Sequence, residues 1–242
     1  MAANIQVIRR PSDRGLMIAA AAIFPLLVLV GYFKTYYGRP LFDNPPFANS
    51  LVHFHAIVMT IWVLYFTAQI ALVRTKNLKL HMTMGLSGVV LAAVVIVVGM
   101  VTAWDSHIVR GTAPAGIPAH SFFIVPLLDM TFFAIFFAGA IYYRKKPAQH
   151  KSLMLMTAIN FSPAAIARIP ILPPEYTIVQ FLVAPAVLGI AAFAWHTWKY
   201  RKINWVFAAA LFAFVASGPL RLVISGTETW LGFVGWLASF RG

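Results

Sequence analysis

The chain has 242 residues, of which 61% are hydrophobic and 10% charged, with a formal net charge of +13 and no cysteine. A soluble domain carries about 25% charged residues, so a large soluble fold is excluded in favour of an integral membrane protein. The absence of cysteine excludes disulfides, iron–sulfur ligation and thiolate chemistry.

A membrane-crossing helix needs about 20 mainly apolar residues. On that ruler spans are predicted in chain order near 16–33, 51–73, 84–103, 118–143, 152–171, 176–198 and 204–224. The first is too long for a signal peptide, and KTYYGRPLF after it offers no small-residue cleavage site. Pro25, Pro126, Pro163 and Pro185 fall inside spans and are expected to kink them. The last apolar stretch, within 229–240, is too short to cross and carries Trp230 and Trp236, which suits an interfacial segment. The expected fold class is all-α: a polytopic membrane helical bundle of seven transmembrane helices, forming a single domain over 1–242.

Basic residues cluster in every second connection: Arg9, Arg10 and Arg14; Arg74, Lys76 and Lys79; Arg144, Lys145, Lys146 and Lys151; Lys199, Arg201 and Lys202. This is the pattern of cytoplasmic loops, and it predicts a cytoplasmic N-terminus and an outer C-terminus. The charge is thereby a topology signal and points away from nucleic acid. The expected setting is the bilayer of a bacterial inner membrane.

The histidines follow this layout. His53 and His55 open the second span and His120 the fourth, from the outer side; His81 opens the third and His150 the fifth, from the inner side. His107 lies in an outer loop, and His196 at the inner end of the sixth span. His53 and His55 differ by about 200° of helical rotation, so only one can face the bundle. His55 shares a stripe with Trp62 and Gln69, the more polar face, and is the inward candidate; His53 runs into Ile57, Thr60 and Leu64. Two axial imidazoles on facing helices suit a b-type haem. Each of these histidines is equally placed to serve as an interfacial residue. His81, Gly85, Gly88 and Ala92 form a stripe of small residues, which makes room for a macrocycle or for a close helix.

The stretch HFHAIVMTIWVLYFTAQIALVRTKNLKLHMTMGLSGVVL, with PAHSFF and His150 beyond it, resembles the transmembrane dihaem cytochromes of the b-561 type over roughly residues 50–165. That resemblance implies two b haems, His55 with His120 on the outer side and His81 with His150 on the inner. It further implies electron transfer as a membrane oxidoreductase, with a quinol or other small reductant as partner. The sequence departs from that family in having Ala56 after His55, where proline is frequent there, and in having a seventh span. KLHMTMG and HKSLMLM also resemble segments of bacterial multi-pass proteins of unassigned activity.

The other polar residues within spans leave alternatives open. Asp129 lies mid-span, where an ionised carboxylate is costly; it suits a proton relay or a structural acid bonded to a hydroxyl, with Asn160 as a candidate partner. Arg168 and Arg221, near outer ends, suit a haem propionate or an acidic lipid group, or plain snorkelling. A different class of function also fits, a non-enzymatic membrane subunit or small-molecule binder, with a metal on the outer side near His53, His55, His107 and His120. A third reading is a proton-coupled transporter using Asp129. The chain has no lysine in the last span for a retinal, no HExxH and no phosphate-binding glycine loop.

Overall fold

A computed structural model describes residues 14–44, 46–114 and 116–240. The cluster at Arg9 and Arg10 lies outside them. The described residues form helices and connections without strands: α1 (Arg14–Tyr32), α2 (Ser50–Arg74), α3 (Leu78–Trp104), α4 (Ala119–Phe122), α5 (Ile124–Tyr142), α6 (Pro147–Ile166), α7 (Thr177–Tyr200), α8 (Trp205–Ser225) and α9 (Glu228–Ala238). Six helical segments are long and apolar enough to cross a membrane: α1, α2, α3, the α4–α5 unit, α7 and α8, with the short turns that extend some of them.

The exception is α6, 20 residues long. It begins with Gln149, His150, Lys151 and Ser152 and continues through Thr157, Asn160 and Ser162, of which Ser152, Thr157, Asn160 and Ser162 are buried. It packs against α1, α5, α7 and α8. A helix enclosed by other helices meets little lipid, so it can carry polar residues that find partners inside the protein.

Helix ends follow local chemistry. Asn49, Asn77, Asn204 and Thr227 each cap a helix, accepting from the backbone N–H of Val52, Leu80, Phe207 and Trp230. Pro147 stands in the first turn of α6, where its missing N–H is not needed. The expected fifth span at 152–171 is therefore displaced: the helix starts at Pro147 and stops at Ile166, ahead of Pro170. The fourth span is split at Phe123, since Pro126 has no N–H for the carbonyl of Phe122. Helical structure continues through Pro25, Pro163, Pro185 and Pro219.

The core divides among helix junctions. Trp62, Ala92, Val95 and Phe133 join α2, α3 and α5, with the rings of Trp62 and Phe133 edge-on at 4.9 Å. Phe136, Met156, Ala192, Phe207 and Leu211 join α5 to α8 around α6. Phe24, Phe66 and Ala158 join α1, α2 and α6. α1 comes close to α6 at Gly31, where a Cβ would strike the backbone carbonyl of Ala165. Backbone cannot yield as a side chain can, so Gly31→Val is expected to cost about 1–3 kcal/mol, read as a lower melting temperature in detergent. An unchanged melt would show that α1 is not seated there.

The basic clusters gather at one end of the bundle. There Asn204 Nδ2 donates to Ser152 Oγ at 3.1 Å, Lys151 Nζ donates to Tyr200 Oη at 3.5 Å, and Gly15 lies against Trp195. At the opposite end, α9 covers the junction of α4 with the turn after α3: Trp230 and Val234 pack on Ile108 and Phe123. Its 11 residues are too few to cross a bilayer, as expected for the C-terminal segment.

Candidate functional site

Two polar centres lie within the bundle. The first is at the basic end, where α2, α3 and α6 meet. The rings of His81 and His150 lie beside each other in an edge contact, with centroids 6.4 Å apart and planes at 81°. His150 Nδ1 lies 2.8 Å from the Ala140 carbonyl. A carbonyl only accepts, so Nδ1 carries a proton, and in the neutral ring Nε2 holds the lone pair. This is the arrangement of a metal-binding histidine, whose second nitrogen donates to a backbone carbonyl and fixes the tautomer. His81 Nδ1 is buried without a hydrogen-bond partner, and so are both ends of the Gln69 side-chain amide. The His81 ring also interacts with the Gln69 backbone, so the unused capacity at this end is that of His81 Nδ1 and the Gln69 amide.

Burying an amide without partners is costly. Gln69→Leu keeps much of the volume and removes both orphaned atoms. It is expected to raise the melting temperature of the protein purified without cofactor or metal. A lower melting temperature would show that the amide is satisfied in solution.

In the small-residue stripe above His81, Gly88 and Ala92 serve helix packing, while Gly85 has open space beside it. A Cβ on Gly88 would meet the Tyr65 ring at 3.0 Å, and Ala92 is buried against the cluster around Trp62. Tyr65 also bonds to the Met84 carbonyl and to Ser87 Oγ, locking α2 to α3. The clearance left by these residues is used by a tyrosine of the neighbouring helix.

His55 and His53 divide as their spacing predicts. His53 is exposed and lies 3.0 Å from Tyr36 Oη, with Phe47 also against its ring. His55 turns inward on the stripe of Trp62, and its Nδ1 is buried and unpartnered. Arg168 lies within electrostatic reach of His55. The Arg168 guanidinium stacks on Tyr32 at 4.6 Å and donates to the Ala164 carbonyl at 2.6 Å. His120 sits on α4, where its backbone carbonyl accepts from Trp230 Nε1 at 3.0 Å. No ring contact between His55 and His120 occurs among the described residues, in contrast to the inner pair. His107 Nδ1 donates to the Thr112 carbonyl at 2.6 Å, and His196 stacks on Tyr200 at 4.6 Å. Among the described residues no three or more histidine, aspartate or glutamate side chains converge as a metal site requires.

The second centre joins α5, α6 and α8. Arg221 Nη1 donates to Asp129 Oδ1 at 2.6 Å, and the Arg221 side chain is only 5% exposed. Arg221 is therefore an intramembrane ion-pair partner and does not snorkel. The partner of the Asp129 carboxylate is a guanidinium, in place of the hydroxyl considered for a structural acid. Asn160 Nδ2 donates to the backbone carbonyl of Asp129 at 2.8 Å, so it anchors the helix and leaves the carboxylate to Arg221. Arg221 Nε and Nη2 and Asn160 Oδ1 are buried without partners. Neither the ion pair nor Gln69 was singled out as a site by its sequence. The available signal was an uncompensated polar residue inside an apolar run.

No protein-family model, curated protein or solved structure matches the chain. Function is accordingly argued from the geometry of these two centres.

Proposed function

We propose that this is a transmembrane electron-transfer protein whose redox centre is an iron of b-type haem held by His81 and His150 at the basic, cytoplasmic end of a seven-helix bundle. The observation that carries the reading is the pair of imidazoles that α3 and α6 bring side by side. Two imidazole–metal bonds of about 2 Å, each with about 1 Å more from nitrogen to ring centre, span about 6 Å, and the rings stand 6.4 Å apart. The donor set fits as well: His150 offers Nε2 with its tautomer fixed by Ala140, and the buried Nδ1 of His81 has no other partner. A six-coordinate haem supplies one-electron chemistry without substrate ligation.

The chain's own contribution is to position the ligands. Asn77 caps the helix that carries His81, and Pro147 starts the helix that carries His150. Tyr65 fixes α2 against α3, and Gln69 supplies a polar group beside the pair. The proposal places one haem at this end, because among the described residues the inner pair of histidines is in ring contact and the outer pair is not. His55 and His120 carry the expected second site without a comparable contact. The basic clusters on this side favour an anionic or membrane-borne partner, such as a quinol or a small acidic reductant.

The test is an absorption spectrum of purified protein expressed with ample haem, oxidised and then reduced by dithionite. The expected result is a Soret band and a sharp α band of a low-spin haem b. Protein that remains colourless under those conditions overturns the reading.

A further inference from the structure

Among the described residues, two other than glycine adopt the left-handed backbone region, Lys76 at φ 61° and Arg201 at φ 49°. Both lie in turns at the basic end. Lys76 follows α2, where its N–H bonds to the Val73 carbonyl and that of Asn77 to the Leu72 carbonyl, and Arg201 ends α7. A left-handed residue closing a helix is most often glycine, because a Cβ there crowds the following carbonyl. Topology asks only that cations lie on this side of the membrane. Neighbouring positions would satisfy that, so topology does not account for a long charged side chain where glycine fits best.

The turn between α7 and α8 gathers further cations. Lys199, Arg201 and Lys202 are exposed, and Lys151 reaches over from α6 to donate to Tyr200 Oη at 3.5 Å. Among the described residues no carboxylate pairs with Lys199, Arg201 or Lys202. The described acids lie elsewhere, Asp129 inside α5 and the others at the opposite end. Exposed tryptophans flank the same turn. Trp195 and Trp198 on α7 and Trp205 on α8 are 47%, 58% and 74% exposed, and the Lys199 ammonium lies 5.9 Å from the centre of the Trp198 ring. Indole rings on the outside of membrane helices settle at headgroup depth. The cations of this turn therefore stand level with lipid phosphates.

We propose that the α7–α8 turn binds the headgroup of an anionic phospholipid, with Lys199, Arg201 and Lys202 on its phosphate and the exposed tryptophans against the upper part of its chains. Arg201 suits a phosphate because a guanidinium fork bonds two oxygens at once. The flanking tryptophans favour a lipid over a soluble anion, since they hold the turn where lipid phosphates are already concentrated. Each cation near the surface strengthens such binding about fivefold. The proposal does not depend on haem binding at His81 and His150.

The experiment uses the full chain in phosphatidylcholine nanodiscs containing a minor share of phosphatidylglycerol with a photoactivatable headgroup. The expected result is saturable labelling that maps to the α7–α8 turn and is absent with the same group on phosphatidylcholine. Arg201→Gly is expected to weaken labelling about fivefold, with an unchanged or raised melting temperature because the left-handed residue becomes glycine. Lys76→Gly removes the same charge and the same strain from the other turn, and is expected to keep wild-type labelling. His81→Ala is expected to label as the wild type does, so that loss of haem and loss of this site are separately visible. Equal labelling by the phosphatidylcholine probe, or wild-type labelling in Arg201→Gly, would overturn the proposal. So would a loss in Lys76→Gly as large as that in Arg201→Gly, which would mean a diffuse field and no site. Displacement of the probe by glycerol phosphate would assign the turn to a soluble anion, and displacement by polyglutamate to an acidic protein; either result also overturns it.

Discussion

Asp129→Leu is expected to destabilise the protein by about 3–5 kcal/mol, the cost of stranding a buried charge. A guanidinium is effectively a fixed positive charge in proteins. That of Arg221 is enclosed by α5, α6 and α8 with its side chain 5% exposed, and among the described residues Asp129 is its one charged partner. Removing the carboxylate leaves a cation with no route to water. The double replacement Asp129→Leu with Arg221→Leu removes both charges, and buried ion pairs are frequently matched or exceeded by apolar side chains of similar size. The double variant is thus expected to recover most of the lost melting temperature in detergent, and the single variant to accumulate poorly. A single variant as stable as the wild type would show that Arg221 has reached the interface.

His81→Ala and His150→Ala are each expected to abolish the low-spin haem spectrum, whereas His53→Ala, His107→Ala and His120→Ala retain it. The contrast follows from the placement of the rings. His81 and His150 are in ring contact at 6.4 Å, while His53 is engaged with Tyr36 and His107 with Thr112. Loss of either ligand leaves iron with one axial imidazole, which converts a six-coordinate centre to a five-coordinate one or releases the haem. The readout is the sharp α band after reduction, normalised to protein. Retention of that band in His150→Ala would assign the axial role to another residue.

Much of the bundle was legible in the sequence because lipid imposes a length and a composition on each crossing. The α1, α2, α7 and α8 helices begin and end within about two residues of their expected bounds, since long apolar runs leave little choice. α6 was misplaced by five residues at each end, because its first turns, with Gln149, His150 and Lys151, have the composition of a loop. Pro147 and Pro170 carried the correct bounds as start and stop signals. The start of α3 at Leu78 was likewise marked by Asn77.

Which end of the bundle carries each histidine was legible from the alternation of basic connections, and the opposite facing of His53 and His55 from their angular separation. What spacing along one helix cannot give is which residue on another helix stands opposite. Asp129 and Arg221 are 92 residues apart and meet because α5 and α8 both pack on α6. Gly88 and Ala92 were compatible with a macrocycle or a close helix, and the ring of Tyr65 decides for the helix. The orphaned amide of Gln69 became notable only once its surroundings were known to be closed.

The central claim is a single bis-histidine centre at the basic end of the bundle. The measurement that tests it most directly is the haem-to-protein ratio of the purified chain, by haem extraction and quantitative amino-acid analysis, beside the same ratio for the His81→Ala, His150→Ala double variant. The account predicts about one haem per chain for the wild type and none for the double variant. A ratio of zero in the wild type, or an unchanged ratio in the double variant, would contradict it.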